Sequence, residues 1–143
     1  MAIDVTGMTP LIYVFDMPTS LAFYTDVLGF SVEETAGRGP AFEWASLRLN
    51  DVTLMLNSLF EGEARPAYAE PPRVEAHGDT TFYFRCPDVD GAYQELLARG
   101  AKVSPPEVAP YGLRQVYVTD PDGYSLCFQW PTTQAGLDHW ARH

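Results

Sequence analysis

The hydrophobic pattern of the chain changes period several times, which predicts alternating strands and helices. Residues 11–15, LIYVF, form a dense β-branched and aromatic run that is typical of a strand. Apolar residues then recur at helical spacing after Asp16 and Pro18, which favour a helix start, and Gly29 supplies a stop. Three more strands are predicted, the last two joined by the hairpin signal Asn50-Asp51: residues 30–35, 41–49 and 52–57. The first half is therefore predicted to be β-α-β-β-β.

The same order of elements recurs in the second half. A strand at residues 80–86 precedes a helix that opens at Asp88 and stops at Gly100. Three strands follow, the last two joined by the Asp-Pro-Asp-Gly turn at residues 120–123: residues 101–107, 113–119 and 124–129. A period of roughly seventy residues is too long for a solenoid and indicates a duplicated module. The predicted fold class is α+β, with two βαβββ modules enclosing a shared cavity.

We predict one domain over residues 1–143, because this length is enough for a sizeable core. Its parts are a first module at 8–57, a connector at 58–78, a second module at 79–130 and a tail helix at 131–143. The proline-rich connector either links the two halves or covers a site. Leu137 and Trp140 lie three residues apart in the tail, which is expected to dock on this chain or on a partner.

The charge balance limits the classes of partner. With 9 Lys+Arg against 19 Asp+Glu, the net charge is −10, which argues against binding to nucleic acid or to an anionic membrane. No run approaches the roughly 20 apolar residues of a membrane span, and no basic region precedes an apolar run at the N-terminus. Cys86 and Cys127 have no metal-type spacing, so we predict two reduced, buried thiols in a cytoplasmic protein.

Several motifs resemble those of the vicinal oxygen chelate superfamily, also called the glyoxalase/bleomycin-resistance/dioxygenase superfamily. They are the strand-to-helix pattern of the first half, its counterpart in the second half, and the Asp-Pro-Asp-Gly-Tyr hairpin: residues 11–16, 20–24 and 27–30, then 88–90, 97–101 and 120–124. The resemblance extends over residues 8–130. It implies a fold of two βαβββ modules, in agreement with the periodicity.

Enzymes of this superfamily hold a divalent metal on the first and last strands of each module, typically with His and Glu. The matching positions here are Thr9, Met55 (or Asn57 in a register shifted by two), Thr81 and Cys127. Such a site needs three or four converging N or O donors, which these residues do not provide. We therefore predict no metal, no cofactor and no catalytic residue. His77 is a possible shifted ligand, but its connector composition favours an exposed loop histidine.

Side chains alternate along a strand, so the residues that share a face with these positions are candidates for a binding pocket. Ile12, Val14, Leu126 and Phe128 instead pack on the helices. The predicted ligand-binding residues, with rim aromatics included, are Thr9, Leu11, Tyr13, Phe15, Trp44, Met55, Asn57, Thr81, Tyr83, Arg85, Tyr111, Tyr117, Cys127 and Gln129. Such a pocket suits a flat aromatic ligand or a cation over ring faces. The alternative is that the rings fill the core.

Charged residues leave two further choices open. Glu43, Asp79 and Glu107 are acidic groups that could meet a cationic ligand, although solvated side chains are the commoner case. Arg85 could pair with a ligand carboxylate or with Glu43.

The lost metal ligands, the acidic balance and the fourth strand, residues 52–56, are similar to the bleomycin-resistance branch of the superfamily, whose members bind drugs in the grooves of a dimer without chemistry. The resulting hypothesis is a homodimeric, antibiotic-like small-molecule binding protein that sequesters an aromatic or cationic ligand. One alternative is a metal-dependent lyase, isomerase or dioxygenase with ligands relocated to His77 and Asp79. Another is a structural or regulatory protein with a collapsed cavity.

Overall fold

Each half of the chain forms one four-stranded sheet with a helix after its first strand. The computed structural model describes residues 2–37, 43–60 and 65–142. The chain divides into two units, Met1–Ala69 and Glu70–His143. The boundary falls inside the segment 58–78 that was predicted as a connector.

The first unit follows the predicted β-α-β-β-β order. Its elements are β1 (Leu11–Val14), α1 (Met17–Ala22), β2 (Ser31–Ala36), β3 (Trp44–Leu49) and β4 (Val52–Ser58). The sheet order is β1-β4-β3-β2, with β1 parallel to β4 and the other pairs antiparallel. Residues 41 and 42 of the predicted third strand lie outside the described residues.

Capping and a glycine set the limits of α1, as its sequence predicts. The Asp16 carboxylate accepts a hydrogen bond from the backbone N–H of Thr19, which satisfies an otherwise unpaired group in the first turn. The helix continues as a wider π-helical turn over Phe23–Val27 and ends before Gly29, whose φ of 91° favours glycine.

One face of the first sheet forms the core of this unit. Ile12 and Val14 are buried on β1, and the same alternation continues on β3 and β4. The buried residues of these three strands are Ile12, Val14, Ala45, Leu47, Leu54 and Leu56. α1 packs on β4, and Leu11 and Tyr13 on the opposite face are 39% and 48% exposed. Ile12 and Val14, which were predicted to pack on the helix, are buried.

The second unit repeats this topology after a short helical segment. Its elements are α2 (Pro71–Ala76), a 3₁₀ turn (His77–Asp79), β5 (Thr81–Arg85), α3 (Val89–Ala98), β6 (Glu107–Val108), β7 (Leu113–Thr119), β8 (Ser125–Pro131) and α4 (Gln134–Arg142). The sheet order is β5-β8-β7-β6, with β5 parallel to β8. The predicted α+β class with two βαβββ modules is confirmed.

Two elements of this unit differ from the prediction. β6 has two residues, whereas a strand was predicted over 101–107. Pro105 and Pro106 have no backbone N–H to donate to a ladder, and only an isolated bridge joins Val103 to Val118. α2 lies in the predicted connector, where Pro71 and Pro72 occupy the first turn, the position at which a helix tolerates proline.

The helices of the second unit lie on different parts of β8. α3 packs on β7 and β8 over buried Val116, Val118, Leu126 and Phe128. The tail helix α4 contacts β8 as well, and the Trp140 ring stands edge-on to Trp130 at 5.4 Å between centroids. The tail thus docks on this chain. No described helix has the length and apolar character that a membrane crossing requires.

The turn between β7 and β8 is held from two sides. The buried Asp120 Oδ1 accepts hydrogen bonds from the backbone N–H groups of Asp122 and Tyr124, both at 2.9 Å. His77 Nδ1 donates to the Asp122 carbonyl at 2.7 Å, and its ring stacks on Tyr124 at 4.1 Å. His77 is therefore half-buried against this turn, so the prediction of an exposed loop histidine was wrong. Residue spacing does not show that a connector folds back on a hairpin.

Gly123 lies at the closest approach in this turn and provides a test of the packing. Its φ is 91°, and an added Cβ would clash with the Val74 carbonyl oxygen. We expect Gly123→Ala to lower the free energy of unfolding by about 3 kcal/mol, because backbone strain and overpacking add.

Gly100→Ala is the matched control, because Gly100 has a φ of 81° but open space around its Cβ direction. It should cost about 1 kcal/mol, from the backbone alone. Urea unfolding of both variants measures the difference. Equal losses would contradict the close packing of α2 on the turn.

Candidate functional site

Two tyrosines flank a buried thiol on the open face of the second sheet, the face opposite α3. Tyr83 on β5, Cys127 on β8 and Tyr117 on β7 are direct neighbours in the strand register. The two tyrosine hydroxyls are 3.4 Å apart, and the rings meet edge to face at 6.5 Å. Tyr83 is 54% and Tyr117 40% exposed, whereas Cys127 is fully buried. Aromatic surface is therefore accessible to a ligand here.

A polar row lies next to this tyrosine pair in the same sheet. Arg85, Gln129, Gln115 and Glu107 follow one another in register across β5, β8, β7 and β6. The Gln115 side chain is buried. Its Nε2 donates to Gln129 Oε1 at 2.8 Å and to the Tyr111 hydroxyl at 3.0 Å.

The amide of Gln115 links this polar row to the aromatic groups. Its Oε1 accepts from the Tyr117 hydroxyl at 3.4 Å, so one side chain is hydrogen-bonded to Tyr111, Tyr117 and Gln129. A buried and fully occupied amide of this kind fixes the rotamers of its partners. The surface is consequently ordered before a ligand arrives.

A cavity of about 450 Å³ opens beside this network within the second unit. Its walls combine the residues just described with the segment that leads into β7: Ser104, Pro105, Glu107, Val108, Ala109, Pro110, Tyr111, Gln115 and Tyr117. The volume falls in the range of small-molecule sites. All three acidic candidates are exposed: Glu43, Asp79 and Glu107. Glu107 lines this cavity.

The Tyr117 hydroxyl and the Cys127 thiol are uncharged at neutral pH, because the pKa of each is raised. The hydrogen bond to Tyr83, followed by burial, raises the pKa of Tyr117 far above its usual value. Burial also raises the pKa of the Cys127 thiol. Because a thiolate rather than a thiol is the nucleophile, this environment disfavours covalent chemistry at Cys127. The site is suited to stacking and hydrogen bonding.

Arg85 lies at the edge of this face, beside the tail helix. Its guanidinium carbon is 4.8 Å from the centroid of the Trp140 ring, a distance typical of cation–π stacking. Thr81, the remaining candidate on β5, pairs with Ser125 in the row beyond the tyrosines.

The candidates of the first unit lie on or beside its own sheet. Leu11 and Met55 are neighbours in the register, as are Tyr13, Asn57 and Trp44, so these five share the open face of the first sheet. Two candidates lie outside the strands. The Thr9 hydroxyl bonds to that of Thr53 at 2.9 Å. Phe15 packs edge-on to Phe60, with the Arg65 guanidinium over its ring.

The positions that hold a metal in the enzymes of the resembled family do not fit one here. They provide Thr9 and Met55 in the first unit, and Thr81 and Cys127 in the second. These donors are two neutral hydroxyls, a thioether and a thiol whose raised pKa keeps it protonated. Among the described residues, no three His, Cys, Asp or Glu side chains form a metal-binding group. The Nδ1 of His77, the proposed shifted ligand, is occupied by the Asp122 carbonyl.

Sequence reasoning missed Gln115 and misjudged Cys86. Gln115 lies two residues from Tyr117 on β7 and shares its face, so strand alternation could have identified it. Cys86 is a free thiol, as is Cys127, but it is half-buried rather than buried. Its Sγ donates to the Asp88 carbonyl at 3.6 Å.

Comparison with known proteins agrees with this architecture. Residues 3–128 match the family model described as Glyoxalase/Bleomycin resistance protein/Dioxygenase superfamily. The chain belongs to this superfamily. A curated relative, the uncharacterized protein YaeR of Escherichia coli (strain K12), is 32% identical over 113 residues, which cover 78% of this chain and 84% of YaeR.

Two solved structures of antibiotic-binding proteins share the fold. The bleomycin-binding protein of Streptomyces verticillus, complexed with copper(II)-bleomycin, matches with a TM-score of 0.64 at 20% identity, over 89% of this chain and 97% of its own. TnmS3, an antibiotic binding protein from Streptomyces sp. CB03234, matches with a TM-score of 0.63 at 26% identity, over 92% and 99%. The superfamily fold therefore accommodates small-molecule binding.

The two thiols should differ in reactivity because only Cys127 is fully buried. We expect iodoacetamide to label Cys86 at least about ten times faster than Cys127 in the native protein, and both at similar rates in urea. Mass spectrometry of the peptides measures the rates. Equal labelling rates of Cys86 and Cys127 in the native protein would show that Cys127, between the two tyrosines, is open to solvent.

Proposed function

We propose that the protein binds an aromatic or cationic small molecule of antibiotic-like size and sequesters it without metal-dependent chemistry. The observation that carries this proposal is the ordered network of Tyr83, Tyr117, Tyr111 and Gln115 beside a 450 Å³ cavity. Binding occurs on the face where related enzymes hold their metal.

Each part of the network has a defined role in this proposal. The exposed rings of Tyr111 and Tyr117 provide flat apolar surface for stacking. Gln115 holds both rings in place, so little side-chain entropy is lost when a ligand binds. Glu107 on the cavity wall favours a cationic substituent, in keeping with the net charge of −10.

Two further features support binding without turnover. The four ligand-equivalent positions lack imidazole and carboxylate donors, and the only thiol among them is buried and protonated. The bleomycin-binding protein and TnmS3, which share this fold, bind antibiotics. The proposal extends this activity class to the present chain as a cytoplasmic antibiotic-resistance function.

A thermal-shift panel of aromatic and cationic antibiotics, metal-free bleomycin included, tests this function. At least one compound should raise the melting temperature, because a ligand that binds only the folded state stabilises it. Its Kd by calorimetry should be unchanged by EDTA, and mass spectrometry should recover it unaltered. Loss of binding in EDTA, or a chemically changed compound, would favour the enzyme alternative. Absence of any shift would contradict the binding function.

For a compound that binds, Tyr117→Ala should raise the Kd at least about ten-fold, which corresponds to about 1.4 kcal/mol. Tyr68→Ala is the matched control, because Tyr68 is 85% exposed in the first unit and belongs to no part of the network. The two variants should therefore differ in calorimetric Kd. An equal effect of both would contradict the assignment of the site to the second sheet.

We also propose a homodimer, as in the bleomycin-resistance branch that the sequence resembles. Light scattering after gel filtration should then give twice the 15.9 kDa of the chain. A mass of one chain at micromolar concentration would contradict this assembly.

A further inference from the structure

We infer that Arg85 recognises an anionic group, such as a carboxylate, on the ligand of the aromatic site. This inference deepens the proposed function and depends on it. It assigns the ligand to the class of aromatic compounds that carry an oxyanion substituent at one end.

The position of Arg85 places it at the edge of the site. It lies two residues after Tyr83 on β5, so both belong to the same face of the sheet. In the register it neighbours Gln129, which in turn neighbours Gln115. Adjacent strands are about 4.8 Å apart, so Arg85 lies about 10 Å from the β7 strand that carries Tyr117. This separation matches the length of a fused aromatic ring system with one substituent.

The tail helix places an aromatic ring against the guanidinium of Arg85. Its central carbon lies 4.8 Å from the ring centroid of Trp140, and Trp140 is itself supported edge-on by Trp130. An aromatic ring is not a strong hydrogen-bond acceptor, so this contact leaves N–H donors of the guanidinium available for another partner. A planar fork of donors is the group that pairs with a carboxylate through two parallel hydrogen bonds.

Arg85 also differs from most arginines of this chain in its partners. Among the described residues, Arg48, Arg65, Arg73, Arg99 and Arg114 each pair with a carboxylate. The interaction of Arg85 is with Trp140, although the chain has 19 acidic residues. Glu107 lies at the other end of the polar row that contains Arg85, three strands away at about 14 Å. This distance is too long for a direct ion pair between Arg85 and Glu107. A ligand oxyanion can therefore act as the carboxylate-like partner of Arg85.

The overall negative charge does not prevent such binding. Charges on the exposed surface are screened beyond about 8 Å at physiological ionic strength. A contact with Arg85 at hydrogen-bond distance therefore outweighs the more distant repulsion. The acidic surface slows the approach of an anion, but the bound state depends on local pairing.

Matched pairs of aromatic probes test this inference: naphthoate with naphthamide, indole acetate with indole acetamide, and anthracene carboxylate with anthracene carboxamide. Quenching of tryptophan fluorescence reports binding. In at least one pair we expect the carboxylate to bind at least about ten-fold tighter than its amide, because charge-assisted hydrogen bonds are the stronger ones. Arg85→Gln should remove this preference, because it weakens binding of the carboxylate more than binding of the amide. Arg85→Lys should restore only part of it.

The control is Arg99→Gln, which removes the same charge from a helical pair with Glu95 and should keep the full preference. Unchanged melting temperatures confirm that the variants are folded. Three results would overturn the inference and leave the proposed function intact. In the first, both members of every bound pair bind equally well. In the others, Arg85→Gln retains the preference for the carboxylate, or Arg99→Gln loses it to the same extent as Arg85→Gln. Absence of binding by every probe would overturn the inference as well, whereas the proposed function is decided separately by the antibiotic panel.

Discussion

The architecture depends on one constraint, namely that the helix after the first strand of each four-stranded sheet can cover only one of its two faces. Strand alternation satisfies this constraint. Residues such as Val14, Leu56 and Leu126 are buried on the face that the helices α1 and α3 cover. Their neighbours in sequence point to the opposite face of the sheet. On the second sheet, the face left over presents exposed tyrosines together with buried polar groups. A surface of this composition is typical of small-molecule recognition rather than of core packing.

Order on that surface comes from hydrogen bonding rather than from further apolar burial. Gln115 is buried, yet its amide is shared among Tyr111, Tyr117 and Gln129. A buried amide without partners would cost free energy, so its satisfaction favours a single arrangement of the rings. Arg85 also has a partner in the structure, because its guanidinium lies over the Trp140 ring. Preorganised groups of this kind lower the entropy cost of binding.

The sequence predicted the parts of the fold that depend on local chemistry. Asp16 and Asp88 accept hydrogen bonds from the first turns of α1 and α3, as their capping positions predict. It did not predict features that depend on distant contacts. The packing of His77 on Tyr124 joins segments 47 residues apart, and the shortness of β6 reflects proline chemistry that outweighed the apolar pattern. Among the candidate site residues, alternation predicted Tyr83, and Tyr117 was predicted as an aromatic residue at a strand or rim position. The partners of an individual amide are a tertiary property.

The most direct test of the account follows the Gln115 side-chain amide by NMR during titration with a bound aromatic compound. A ligand that stacks on Tyr111 and Tyr117 must alter the shielding of the amide hydrogen-bonded to both rings. We expect saturable shifts of the Gln115 Nε2 resonances with the same Kd as calorimetry gives. Saturable shifts confined to residues of the first unit, with the Gln115 amide unmoved, would contradict it.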